Sequence, residues 1–256
     1  MIIAVPHDTI SDVHLHRLLD NLFQAMVLIV GLDDLVTQRN LERTKRDLRA
    51  AYGLIDRLLE TVQPSDSMAT FGDLMGAVDC VVFPEANNVL SYLENFVETV
   101  DSTYGCVLLK GHIVAATKNW WGLHPDEIVL LTNHLLAELP AMLKDTPVFL
   151  PVKSPTVCVL FTQITNYCTY LLPFPLSFFK KKCKSSIYLQ VPFRLVTCEL
   201  VQDVTLCVLC GPNPSLMELQ PLLQKSWKNA LNLMYSVTSI IPRKFPPFQI
   251  DKTILG

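Results

Sequence analysis

The sequence is poor in the residues that chemistry on phosphates, acyl groups or metals demands. Glycine occurs nine times in 256 residues, and no glycine-rich phosphate loop, GxSxG elbow or HExxH pair is present. A P-loop nucleotide site and two motif-bearing hydrolase classes are thereby excluded. His14 and His16 are two residues apart and do not share a helix face. His7, His112, His124 and His134 have no Cys or carboxylate at ligand spacing, and Asp33-Asp34 lacks the further acids of a calcium loop. The expected assignment is no catalytic, cofactor-binding or metal-ligating residue, and no cofactor.

Charge is also scarce. Only 18% of residues are charged and the formal net charge is -3, so the electrostatic footprint of a nucleic-acid binder is missing. Half the residues are hydrophobic, enough for a packed core in a chain of this length. The opening MIIAVPHDTISDVH lacks the basic start, apolar run and cleavage site of a secretory leader, which points to an intracellular protein. Its eight cysteines are then expected as reduced, small apolar residues. Cys207 and Cys210 form a CxxC, but on a strand residues three apart face opposite ways and cannot grip one ion.

What is present is alternation of helix and strand. Ser11 to Val30 carries Val13, Leu15, Leu18, Leu19, Leu22, Phe23 and Met26 at helical spacing, with Gly31 as C-cap and LDDLVTQRN as connector. Its apolar end is much shorter than the roughly 20 residues of a bilayer span. A second amphipathic helix is expected from Asn40 to Val62, with a solvated face holding a Glu42–Arg46 pair. Its apolar side would hold Leu41, Leu48, Ala51, Tyr52, Ile55, Leu58, Leu59 and Val62. QPSDS, 63–67, reads as a linker. FGDLMGAVDCVVF is ambiguous between helix and strand, and PEANNVLSYLENFVETV is a helix.

Tyr104–Leu109 and His112–Asn119 form a hairpin about Lys110-Gly111, both strands apolar enough to be covered on two faces. Pro125 to Leu139 is a helix started by Pro and two acids. Strands follow at Pro147–Val152, Phe193–Leu200 and Val204–Cys210, then a helix from Leu216 to Val237. From Tyr104 the order is ββαβββα, an α/β layered domain with one five-stranded sheet and flanking helices, as in longin-type domains. Trp120 and Trp121 would face opposite ways. One ring packs beneath the Pro125 helix and the other covers the sheet margin, or one ring anchors a protein partner, a role in which Trp is enriched.

RLLDNLFQAMVLIVGLDDLVTQRNLERTKRDLRAAYGLIDRLL, AVDCVVFPE, GHIVAATKNWWGL, PVFLPVKSPTV and LCVLCGPNPSL together resemble the family of serial-longin proteins that includes Mon1, Ccz1 and the Hermansky-Pudlak proteins. The resemblance implies a helical remnant and last strand of a first longin domain over 1–67, a second longin domain over 68–240, and the start of a linker to a third over 241–256. It implies that the helices 11–30 and 40–62 lack the first sheet they should cover, leaving an apolar patch exposed.

The same resemblance implies a noncatalytic subunit that pairs with Inturned, joins the WD-repeat protein Wdpcp in a ciliogenesis and planar polarity effector complex, and helps nucleotide exchange on a Rab-type GTPase. Its place would be the cytoplasm, the cytoskeleton and the cilium basal body. No individual contact residue carries over, so Trp120 and Trp121 remain the partner-binding candidates. The segment CVLFTQITNYCTYLLPFPLSFFKKKCKSSIYLQ, 158–190, interrupts the family pattern and is expected as an atypical, poorly packed insertion. Its Thr, Gln, Asn and Pro residues make a stable membrane span costly. A rival reading uses Leu160 to Phe179 as the membrane element of a trafficking adaptor.

Overall fold

The computed structural model describes residues 12–37, 41–60, 78–138, 142–154, 156–160 and 186–240, with the backbone alone described at 37, 156–160 and 186–189. The first helix, α1 (Asp12–Val30), buries Leu18, Leu22, Ala25 and Leu28 along one stripe, as 3.6-residue periodicity requires. Val13 and Phe23, expected on that stripe, are exposed. Gly31 ends the helix at φ +86°, its N–H donating to the Val27 carbonyl at 2.8 Å, the left-handed cap that the sequence predicts. The connector that follows is itself helical, α2 (Leu32–Thr37), with Asp33 and Asp34 in its first turn, where the helix dipole favours acids. The expected connector LDDLVTQRN is therefore helical over its first six residues.

The second expected helix is two, α3 (Leu41–Ala50) and α4 (Tyr52–Glu60). They meet at fully buried Ala51, whose N–H reaches the Leu48 carbonyl at 3.0 Å, an i–3 bond that tightens the chain. Thr44, Ala51, Leu54 and Leu58 point inward while Leu41, Tyr52 and Leu59 are exposed, so the inward face is rotated from the one predicted. On the solvated side Glu42 pairs with Lys45 at 3.0 Å and Arg43 with Asp47 at 3.4 Å, in place of Glu42 with Arg46. Val62, the 63–67 linker and 71–77 lie outside the described residues.

A helix α5 (Ala86–Thr99) precedes the hairpin of β1 (Tyr104–Leu109) and β2 (His112–Ala116). Lys110 and Gly111 turn it with φ of 50° and 85°, the double positive φ that matches strand twist. After α6 (Pro125–Ala137) comes β3 (Lys144–Val148), three residues earlier than predicted. Leu150 and Ser154 instead close a turn, the Leu150 N–H donating to the Ser154 hydroxyl at 2.8 Å. β4 (Thr156–Leu160) and β5 (Ser186–Gln190) pair antiparallel in a separate two-stranded sheet, and β6 (Phe193–Val201) and β7 (Val204–Cys210) return to the main one. The interior of the 158–190 segment lies outside the described residues, so its expected poor packing does too.

The main sheet has five strands in the order β2-β1-β7-β6-β3, every neighbouring pair antiparallel. The last described elements are α7 (Leu216–Trp227), a 3-10 turn (Lys228–Ala230) and α8 (Leu231–Thr238), where one helix was expected. This is the predicted longin-type ββαβββα arrangement, with the β4–β5 pair added. Among the described residues no helix is long and apolar enough to cross a membrane.

Both faces of the sheet are covered. Val107, Leu109, Val196 and Val208 meet α5 and α7 through Val89, Leu93, Phe96 and Trp227. Cys106, Leu108, Leu195 and Leu209 meet α1, α4 and α6 through Leu22, Leu28, Leu54 and Leu131. Odd and even residues of one strand therefore join different cores, as strand alternation demands. Cys207 and Cys210 fall on opposite faces, as their spacing predicts. The first helices do not lose their apolar cover: the stripe of α1 and the inner face of α4 are buried on this sheet's second face.

Candidate docking surface

The tryptophan pair follows directly on β2, which ends at Ala116 rather than at Asn119. A knot at Thr117 ends the strand. Its hydroxyl donates to the Thr103 carbonyl at 2.9 Å and accepts the N–H of Gly105 at 3.2 Å and of Trp120 at 3.3 Å. Gly122 and Leu123 then bond back to Asn119 and Trp120, both at 3.1 Å. Trp120 and Trp121 thus lie in a turn, so strand alternation is not what separates them. Trp120 is fully buried, packed with Leu22, Leu54, Ile128 and Leu131, whereas Trp121 is 48% exposed. Of the two, Trp121 is the ring a partner could touch.

The turn feeds straight into α6. His124 is its N-cap in extended conformation, its ring Nδ1 accepting the Asp126 N–H at 3.4 Å, and Pro125 takes the first helical position. The Glu127 carboxylate answers from N3, accepting the His124 N–H at 3.2 Å, a capping box in which His replaces the usual Ser or Thr. The other Glu127 oxygen accepts the N–H groups of Val152 and Lys153. Glu127 is fully buried, and its three bonds satisfy it. Asp126, also buried, forms an ion pair with Arg17 of α1.

These groups are spent on holding one another, and what the arrangement offers is a rigid frame beneath an exposed indole. The sequence identified Asp126 and Glu127 as dipole partners only. Arg17, Val152 and Lys153 are too distant along the chain for any local pattern to have found them. Lys153 further lays its ammonium 5.8 Å from the centre of the Tyr104 ring, which meets Phe193 edge-on.

His112 places Nδ1 3.2 Å from the Lys110 carbonyl in the hairpin turn. His134 is buried, with Nε2 3.6 Å from Glu138 Oε1. Its pKa is lowered from 6.5 by burial first, the Glu138 carboxylate opposing and the Lys144 ammonium adding to the effect. Three of the five cysteines whose side chains are described behave as small buried apolar residues. Cys106, Cys207 and Cys210 are buried, Cys198 is half-buried and Cys80 is exposed. Burial pushes the thiols of Cys198 and Cys210 up to about 11.

A five-stranded antiparallel sheet with one helix on the crossover and helices after the last strand defines a longin-type protein. Comparison with known families agrees. Residues 1–58 match the first longin domain of FUZ, MON1 and HPS1, and residues 100–179 match the second longin domain of the same group. The chain belongs to the FUZ, MON1 and HPS1 longin family. It is 37% identical over 238 residues to the Protein fuzzy homolog of Xenopus tropicalis, with 92% of this chain and 47% of the relative covered. It is 37% identical over 249 residues to that of Homo sapiens, covering 96% of this chain and 50% of the relative. Against the Mus musculus protein the identity is 34% over 258 residues, covering 100% and 52%. The chain spans about half the length of the curated relatives it matches.

Proposed function

We propose that this chain is a noncatalytic scaffold and effector subunit in planar cell polarity and cilium assembly. On this reading it pairs with Inturned, joins Wdpcp-type members of one complex and contributes to nucleotide exchange on a Rab-type small GTPase during vesicle trafficking to the ciliary base. It works in the cytoplasm, on the cytoskeleton and at the cilium basal body. The observation that carries the reading is the match of two successive stretches of one chain to the paired longin domains of a single family. In support, both faces of the sheet are already filled by the chain's own helices. Sheet edges, helix backs and rings such as Trp121 are then what remain for partners.

The test is co-expression of the tagged chain with Inturned, with a full-length relative as the positive control. Co-purification of a stable complex, and faster nucleotide release from a Rab-type GTPase in its presence, is the expected result. Failure of the chain to retain Inturned where the relative does so overturns the reading. Carbonate extraction separates it from the membrane-adaptor alternative, which requires retention in the pellet.

A further inference from the structure

A cleft of about 550 Å³ lies between the C-terminal end of α5 and the first turns of α7. Its floor is apolar, made by Val100, Pro214, Pro221 and Leu222, and its rim carries the carboxylates of Asp101 and Glu218. No lysine, arginine or histidine lines it.

On this rim the fold uses no charge of Asp101 and only one oxygen of Glu218, among the described residues. Asp101 follows the α5 C-cap at φ 52°, a left-handed position where glycine or asparagine is the usual choice. A carboxylate there also faces the negative end of the helix dipole, where cations are preferred. The last turn of α5 contains no basic residue, and Asp101 makes no ion pair among the described residues. Glu218 spends one oxygen on the Ser215 N–H and hydroxyl, at 2.7 and 2.8 Å, and the other has no hydrogen bond among the described residues. These bonds to Ser215 hold its pKa below the usual carboxylate value. Pro221 stands inside α7 and has no N–H, so the Met217 carbonyl lacks its intrahelical donor. The cleft thus joins an apolar floor to a rim dominated by acceptors, and Met217, which precedes Glu218 in α7 and stands one turn before Pro221, is exposed.

We propose that this cleft docks a segment of a protein partner that presents an arginine or lysine next to an apolar residue. The aliphatic stem of the basic side chain lies on the proline and leucine floor. Its cationic head sits between Asp101 and Glu218, and the neighbouring apolar residue packs on Met217, a side chain suited to adaptable contacts. The proposal goes beyond the scaffold reading and does not depend on it, because a peptide replaces the partner in its test.

The probe is the tetrapeptide acetyl-Leu-Arg-Leu-Leu-amide carrying a neutral fluorophore, titrated with the full chain in fluorescence anisotropy. A matched peptide has the neutral isostere citrulline in place of arginine. The arginine peptide should bind at least about three-fold more tightly than the citrulline peptide. Asp101→Asn and Glu218→Gln should each weaken the arginine peptide about two- to five-fold and leave the citrulline peptide unchanged. Both variants keep the fold, since asparagine suits the left-handed cap and glutamine preserves the capping box. The melting temperature of Asp101→Asn should equal or exceed that of the parent, which a purely structural aspartate would not give. Equal binding of the two peptides, or unchanged binding of the arginine peptide in the double variant, overturns the proposal.

Discussion

Glu127, in the first turn of α6, and Lys153, in the turn after β3, are joined by a 2.8 Å bond from the Lys153 N–H to the Glu127 carboxylate. The same oxygen also receives the Val152 N–H at 2.7 Å. One buried side chain therefore fixes both the start of the crossover helix and the path of the chain beyond the sheet edge.

Replacing Glu127 with Ala should orphan three backbone N–H groups and cost about 2–4 kcal/mol. Glu127→Gln keeps an acceptor but turns an amide group toward an N–H, and should lose roughly half as much. Urea denaturation followed by far-UV circular dichroism measures both. Equal stability of Glu127→Ala and the parent would show that the turn is held by other contacts.

The two tryptophans should separate cleanly in the same assay. Trp120→Ala empties a fully buried site and should cost about 3–5 kcal/mol. Trp121→Ala removes a ring that is half in solvent and should stay within about 0.5 kcal/mol of the parent. If Trp121 anchors a partner, its alanine variant loses complex formation while keeping its denaturation midpoint.

The hairpin turn is a third point of leverage. A Cβ on Gly111 would run into the Leu136 side chain of α6, at a residue whose φ is +85°. Backbone strain and crowding then act together, so Gly111→Ala should destabilise by about 1–3 kcal/mol. A change of under about 0.3 kcal/mol would mean that Leu136 moves aside at no cost.

His134 predicts a pH dependence of definite sign. Its folded-state pKa lies below 6.5, chiefly because it is buried, so at acid pH the unfolded chain takes up a proton that the folded chain resists. The stability it contributes is complete above 6.5 and is lost as pH falls through the lowered value. Denaturation midpoints measured from about pH 7.5 to pH 5 should fall less steeply in His134→Leu than in the parent. Identical slopes would assign the acid sensitivity to other groups.

The sheet was the most legible part of the sequence. The apolar runs of β1 and β7, the Lys110-Gly111 turn and the Pro125 helix start depend on neighbours a few residues away, and local patterns report such neighbours. Position along the chain was harder where distant residues decide it. β3 ends at Val148, short of the predicted Val152, where the chain is drawn into a turn by Ser154 and Glu127. The inner face of α3 and α4 is set by packing on α1 and α6, so Leu54 is buried while Tyr52 is not. Trp120 and Trp121 were separated for a reason that does not hold, since the Thr117 knot ends the strand before them. The α5–α7 cleft left no trace at all, because Asp101 and Glu218 stand 117 positions apart.

Leu22 and Leu28 of α1 share one core with Leu131 of α6 and Leu209 of β7. The two stretches that match separate longin domains are therefore mechanically inseparable in this chain. Cutting between them would strip an oily wall from each half, and heating should melt them in a single cooperative event.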